Sequence, residues 1–235
     1  MTDDFSEAER AGVYKAIFKR RDMRHFLPAP LARDLLEKLL AAAHAAPSVG
    51  LMQPWRIIRI SSETTREQLF QLVDQERRHT AQALGERERE FMRLKVEGIR
   101  DCGELLVMAL CDRREEYVFG RRTMPQMDLA SVACAIQNLW LAARAEGLGM
   151  GWVSLFDPQR VGELLAMPPD AMPVAILCLG EVEAFYVEPM LQQENWSRGA
   201  PLDDVLMEDR WEPDKATRAH RREPAPESGA ADSIR

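Results

Sequence analysis

Short uninterrupted apolar runs alternate along this chain with longer stretches whose apolar residues recur at helical spacing. The runs at Trp55-Arg56-Ile57-Ile58-Arg59-Ile60, Leu105 to Cys111, Trp152 to Phe156 and Val174 to Leu179 predict strands. Between them, Ser6 and Glu9 form an S-x-x-E capping box that opens a helix to about Lys19, with Val13, Tyr14, Ile17 and Phe18 on its apolar face. Pro30 starts a second helix and Pro47 stops it. Met127 to Glu146 reads as a long helix. Its middle, Leu129 to Ala143, carries no charge, and Gly147 ends it. Such a helix needs cover on several sides, from the core or from a second subunit. A further helix is predicted from about Pro158 to Ala166. Buried strands alternating with helices imply a sheet covered on both faces.

Two regions break this pattern. Residues 64–99 are rich in Glu, Arg and Gln with sparse apolar positions, and read as two exposed helices broken near Gly85 that project from the core. They are either a lid over a site or a solvated hairpin or dimer arm. Past Trp211 the chain turns polar, so residues 1–213 are expected to form one domain and 214–235 a disordered tail.

Composition narrows the function classes. At 235 residues and 46% hydrophobic content the chain can bury a substantial core. A net charge of −7 argues against nucleic-acid binding. No apolar run is long enough to span a membrane, and Met1-Thr2-Asp3-Asp4 lacks the features of a signal peptide. Cys102, Cys111, Cys134 and Cys178 show no C-x-x-C spacing and the histidines are scattered. A cytoplasmic protein with buried thiols and no metal is expected.

The candidate chemistry lies in short segments. Arg20-Arg21-Asp22-Met23-Arg24 gathers three guanidiniums suited to a dianionic phosphate around one carboxylate, or else makes a cationic helix end. The guanidiniums are expected to keep Asp22 ionised, an acceptor able to remove or relay a proton. Ala46-Pro47-Ser48-Val49-Gly50-Leu51-Met52-Gln53-Pro54-Trp55 fixes an irregular backbone in which Ser48 and Gln53 offer polar groups to a heteroaromatic edge or phosphate. Ser154 is a lone hydroxyl in an apolar strand. Gly147, Gly149 and Gly151 end a helix and enter a strand, the reverse of the dinucleotide fingerprint.

Taken in order, RRDMR at 20–24, AAPSVGLMQPW at 45–55, MDLASVACAIQNLWLAARAEG at 127–147, GMGWVSLF at 149–156 and an arginine before Pro201-Leu202 resemble the flavin-binding nitroreductase superfamily over about residues 7–210. Within it the chain is similar to the branch that makes the lower ligand of cobalamin, because Asp22 stands where generic nitroreductases carry serine and Ser154 follows Gly151-Trp152-Val153.

The resemblance implies an α+β, nitroreductase-like FMN-binding fold, with a central mixed sheet flanked by helices in an intertwined homodimer. It implies oxygen-dependent fragmentation of reduced FMN to 5,6-dimethylbenzimidazole and erythrose 4-phosphate, the reduced FMN supplied by a separate NAD(P)H-flavin reductase. Asp22 and Ser154 would be catalytic. Arg20, Arg21, Asp22, Met23, Arg24, Pro47, Ser48, Gly50, Gln53, Ser154 and Arg198 would contact the flavin, and residues 64–99 would be its lid. Arg198 departs from the pattern, since Gly199 occupies the place two residues before Pro201. The alternative activity is an FMN-dependent NAD(P)H nitroreductase or quinone reductase. A non-catalytic flavin-binding protein is a third.

Overall fold

The capping box of Ser6 and Glu9 forms as the spacing predicts, and it opens α1 (Glu7–Lys19). A computed structural model describes residues 4–220 of the chain. These fall into two compact units, Met1–Phe185 and Tyr186–Arg235, a division that lies inside the span expected as one domain.

In the first unit α1 is followed by α2 (Arg33–His44), which begins three residues beyond Pro30. Then come β1 (Trp55–Arg59), α3 (Glu63–Ala83), α4 (Glu88–Arg93) and β2 (Glu104–Leu110). α5 (Met127–Ala145), β3 (Gly149–Val153), α6 (Pro158–Leu164) and β4 (Met172–Gly180) complete it. The sheet order is β1-β2-β4-β3, and every ladder between these strands is antiparallel. Its parallel component is a single bridge, Asp22 to Met150, which lays the arginine-rich segment along β3.

Side chains alternate across the sheet. Leu106, Met108 and Leu110 of β2, with Ala175, Leu177 and Leu179 of β4, join the core beneath α2 and α5. Leu105, Val107, Ile176 and Cys178 face the other way and are equally buried. On that side α6 packs on β4 and α3 packs on α4 and α6. Leu69 and Val73 of α3 and Val161 of α6 are fully buried. The charged excursion therefore does break at Gly85, where φ is +58°, but it does not simply project. Its few apolar positions, Leu69, Val73 and Phe91 among them, are buried, because a packed helix needs only one apolar stripe.

The third strand also departs from expectation. It starts at Gly149 and ends at Val153, so Ser154, Leu155 and Phe156 lie beyond it. The glycines were the missing part of the strand. A Cβ on Gly151 would stand 2.6 Å from Arg24 Nη1 and closer still to the Met23 carbonyl oxygen, and one on Gly149 would press on Met23 and Val182. Glycine here admits the neighbouring segment.

In the second unit α7 (Met190–Gln193), α8 (Leu202–Val205) and α9 (Pro213–His220) are short helices. The start of the expected disordered tail is thus helical from 214 to 220, and residues 221–235 lie outside the described residues. Among the described residues, no helix is long and apolar enough to cross a membrane.

Candidate functional site

Where α1 ends, Arg20 turns into extended backbone and the chain runs beside β3. The Met23 N–H donates to the Met150 carbonyl at 2.9 Å, and the Met23 side chain is buried against the space left by Gly149. Met23 thus anchors the segment, and its side chain is not offered to a ligand. Asp22 and Arg24 flank that anchor. The Trp152 N–H donates to Asp22 Oδ1 at 3.0 Å, while Arg24 Nη2 donates to Asp22 Oδ2 at 2.6 Å and to the Trp152 carbonyl at 3.0 Å. Asp22, Arg24 and the Trp152 backbone therefore form a closed ring of hydrogen bonds at the end of β3.

The three guanidiniums do not converge as expected. Arg24 is buried in its pair with Asp22. Arg21 Nη1 bends back to the carbonyls of Phe18 at 3.0 Å and Arg20 at 2.7 Å, complementing the negative end of α1. Arg20 lies over the Trp140 ring at 4.5 Å, and the Trp140 indole donates to the Arg21 carbonyl at 3.2 Å. Part of the cluster thus makes the cationic helix end.

The Asp22 carboxyl is held above its ordinary value, the direction opposite to what the neighbouring charges alone would give. Burial is the larger influence. Arg24, the Trp152 N–H and Arg20 oppose it without cancelling it. Its side chain nevertheless keeps 44% of its surface open on one side, against 10% for Arg24. Water or a ligand reaches the carboxylate while protein crowds it from behind.

Ser154, expected in a buried strand, is exposed just past the end of β3. Its hydroxyl follows the Trp152 backbone by two residues, so it belongs to the same rim as Asp22.

The second segment is strained as its prolines and glycine suggest. Gly50, Leu51 and Gln53 adopt φ of +54°, +51° and +46°. The Gln53 N–H donates to Ser48 Oγ at 3.0 Å, and the Val49 N–H donates to Ser131 Oγ at 3.1 Å, which ties the loop to α5. Pro47 and Gly50 are exposed, and Ser48 and Gln53 half-buried. Phe119 lies against Gly50, and Val49 against Gly120.

Both segments hang on α5, but at different heights. Ser131 holds the loop and Trp140 holds the arginine segment, nine residues apart. At the α-helical rise this is roughly 13 Å along the axis. Arg198 belongs to the second unit, where it is exposed after α7.

Sequence reasoning missed several residues. The Trp152 backbone, Trp140, Ser131 and Phe119 all shape the rim, and only Phe119 stood outside the motifs given above. It also missed a buried ion triad. Asp128 Oδ2 accepts from Arg114 Nη1 and pairs with Arg121 Nη2, each at 3.0 Å, while the Leu129 N–H reaches Asp128 Oδ1 at 2.6 Å. Arg121 also donates to the carbonyls of Arg114, Tyr117 and Pro125. This clamp fixes the connection from β2 to α5. A signal did exist, since Asp128 is the only acid in α5.

A cavity of about 940 Å³ is lined by residues 113–116, 158–159, 162–163 and 167–173, and shares none with the candidate flavin contacts.

Beside β3 lie an arginine segment and a partly exposed carboxylate, whose chemistry suits a phosphate and a proton, and a strained polar loop lies apart from them on α5. The profile of the Nitroreductase family matches residues 17–181. The chain is 37% identical over 202 residues to a 5,6-dimethylbenzimidazole synthase of Rhodobacter capsulatus, covering 85% of this chain and 98% of that one. It is 38% identical over 203 residues to the protein of the same description from Rhodospirillum rubrum, covering 84% and 94%. Among solved structures, nitroreductase A from Vibrio parahaemolyticus superposes with a TM-score of 0.63 at 22% identity, over 88% of this chain and 80% of that one. An iodotyrosine deiodinase bound to FMN gives 0.66 at 20% identity, over 85% and 100%.

Proposed function

The chain belongs to the nitroreductase family, and from its curated relatives and its site we infer that it is an enzyme that makes 5,6-dimethylbenzimidazole. Reduced FMN is the substrate and dioxygen the co-substrate. When bound, the reduced flavin supplies the electrons for oxygen and the ring carbons of the product. The observation that carries the reading is the Asp22–Arg24 pair docked on Trp152, because it sets one carboxylate, open on one side, at the end of β3.

The chain's own residues then have distinct tasks. Arg20 and Arg21 hold the phosphate, and Arg24 reaches it while orienting Asp22. The Trp152 N–H fixes one Asp22 oxygen, leaving the open side of the carboxylate to take or relay a proton. Ser154 donates from the neighbouring rim. Ser48 and Gln53 position the ring edge, with Pro47 and Gly50 shaping the loop. Residues 64–99 help keep water from the reacting ring.

A homodimer completes this arrangement. α1 buries no residue, and Val13, Tyr14, Ile17 and Phe18 are all exposed. On α5, Leu129 and Cys134 are exposed as well. A second copy covers these faces and brings its Ser48–Gln53 loop to the first copy's arginine segment, so that the separation along α5 is spanned between subunits. The four free thiols fit a reducing cytoplasm, where a separate NAD(P)H-dependent reductase supplies reduced FMN.

The test is to mix the protein with chemically reduced FMN, admit air and analyse the products by mass spectrometry. The proposal expects FMN to disappear as 5,6-dimethylbenzimidazole and a four-carbon sugar phosphate accumulate. Flavin recovered intact, with NAD(P)H-dependent reduction of a nitro or quinone compound over many turnovers, supports the nitroreductase reading instead. Intact flavin with no turnover supports the binding protein.

A further inference from the structure

We propose that Trp140 is a positioning residue for the phosphate of the flavin: it presents the Arg20 guanidinium to that group, and so makes the chain prefer a phosphorylated flavin to an unphosphorylated one. That the ligand is a flavin rests on the proposed function. The arrangement around Trp140 does not. Arg24 and Arg21 are already engaged by protein, Arg24 Nη2 with Asp22 and the Trp152 carbonyl, and Arg21 Nη1 with the carbonyls of Phe18 and Arg20. Arg20 differs. Half-buried, it lies over the Trp140 ring with Cζ 4.5 Å from the ring centroid, and among the described residues no acceptor takes a hydrogen bond from its guanidinium. A cation–π contact engages the charge and leaves unspent the N–H fork that matches a phosphate.

The backbone on either side of Arg20 is fixed from the same face of α5. The Trp140 indole N–H donates to the Arg21 carbonyl at 3.2 Å, and Arg144 Nε, one helical turn further on, donates to the Lys19 carbonyl at 3.0 Å. Arg20 therefore sits between two anchored carbonyls, at the point where α1 gives way to extended chain. Trp140 also reaches the other side of the site. Its ring lies 6.5 Å from that of Trp152, tilted by 43°, within the range of an aromatic pair, and the Trp152 N–H holds Asp22. One side chain thus touches the cation, the backbone of its neighbour and the residue that fixes the carboxylate.

Packing alone does not require an indole at this position. Leu139 beside it and Ile136 one turn earlier are fully buried with aliphatic side chains. Trp140, 7% exposed, adds what they lack, a ring face for a cation together with an N–H donor. Leucine would fill part of the volume and supply neither. Phenylalanine would keep a ring beneath Arg20, with a weaker pull on the cation and no donor for the Arg21 carbonyl. The two roles separate cleanly. Loss of packing weakens the binding of any flavin, whereas loss of the Arg20 position weakens only a flavin that carries a phosphate.

Oxidised FMN and riboflavin are the probes, and the dissociation constant of each for the flavin-free full chain is measured by equilibrium dialysis. The wild type is expected to bind FMN about tenfold or more tightly than riboflavin. In Trp140→Leu that preference is expected to fall about five- to tenfold through weaker FMN binding, with riboflavin affinity unchanged. Trp140→Phe is expected to lose about two- to threefold. In Arg20→Met the preference falls at least as far as in Trp140→Leu, and combining the two costs little more, because the effect of Trp140 runs through that guanidinium. Equal weakening of FMN and riboflavin in Trp140→Leu makes Trp140 a packing residue and overturns the proposal. An undiminished preference, full additivity with Arg20→Met, or a wild type that binds both flavins equally overturns it too. Should Trp140→Leu fail to fold, an unchanged preference in Trp140→Phe overturns it in the same way. Dimethylbenzimidazole formation from reduced FMN is read separately. No product with the Trp140-dependent preference intact defeats the synthase reading alone, and product without that preference defeats this proposal alone.

Discussion

Asp22 and Asp128 both accept from arginine, yet they sit in opposite kinds of surroundings. Asp128 is 2% exposed and binds two guanidiniums and the N–H of its own helix, so its two oxygens are fully used inside the protein. Asp22 binds one guanidinium and one backbone N–H and keeps an open side. The same pair of residue types therefore builds a rivet in one place and a poised carboxylate in the other. Burial and the number of partners decide which. A sealed ion cluster costs much to desolvate and much more to leave half-made. An open pair holds little stability but keeps a lone pair for a ligand or a proton.

The largest effect is expected where the seal is broken. Asp128→Ala leaves Arg121, whose side chain is 4% exposed, with only the exposed Glu115 carboxylate at 3.4 Å as counter-charge. Removing one partner of a buried pair typically costs about 3–5 kcal/mol. Urea unfolding should show that loss, with the β2–α5 connection becoming sensitive to protease. A change as small as that of a surface ion pair would mean that the carbonyls around Arg121 already satisfy it, and the contrast with Asp22 would fail.

Next in size is the packing that holds Asp22 in place. Gly151→Ala drives a methyl group against Arg24 and the Met23 carbonyl, and overpacking of this kind costs about 1–3 kcal/mol. The expected signature is combined: a lower melting temperature together with weaker flavin affinity, because the arginine segment must lift from β3. Unchanged affinity would separate the glycine from the site.

These two regions also show what was readable from sequence. The capping box, the uncharged α5 and the strands β1, β2 and β4 follow from local pattern, because each element's apolar period and its caps lie within a few residues. Asp22 stood out through its arginine neighbours and through the resemblance. Asp128 did not, since its partners Arg114 and Arg121 precede it by 14 and 7 residues in an irregular connection with no period to betray them. Ser154 was misplaced for a related reason. An apolar run reads the same whether the strand begins at Gly149 or Trp152, and only the segment lying across it explains why glycines belong inside the strand. The direction of the Asp22 shift was not legible because charges are visible in a sequence and desolvation is not.

Asp22→Asn should cost little stability, about 0.5–1 kcal/mol, because the pair is partly open to water. Its effect belongs on the product instead. Loss of the carboxylate should lower dimethylbenzimidazole formation about a hundredfold or more, the range for a positioned acid or base, while reduced FMN still binds. Near-normal product from this variant would remove Asp22 from the chemistry and leave both aspartates structural.

The smallest effect lies in the pH dependence of stability, and it sets Asp22 against Glu67 on α3. Burial raises the folded Asp22 carboxyl above its ordinary 3.8, so the folded chain holds that proton more tightly than the unfolded chain. Its contribution is complete below 3.8 and is lost as pH rises through the folded value. Glu67 runs the other way. Arg100, at 2.5 Å and 2.9 Å, and Gln71 lower it from 4.5 to about 2. Its contribution is present above 4.5 and is lost as pH falls toward 2, and full exposure keeps it small. Denaturant midpoints measured across this range should therefore lose their decline above 3.8 in Asp22→Asn and lose part of their acid-side decline in Glu67→Gln. If Asp22→Asn instead removes an acid-side decline, Arg24 outweighs burial, and the open carboxylate is held as firmly charged as the sealed one.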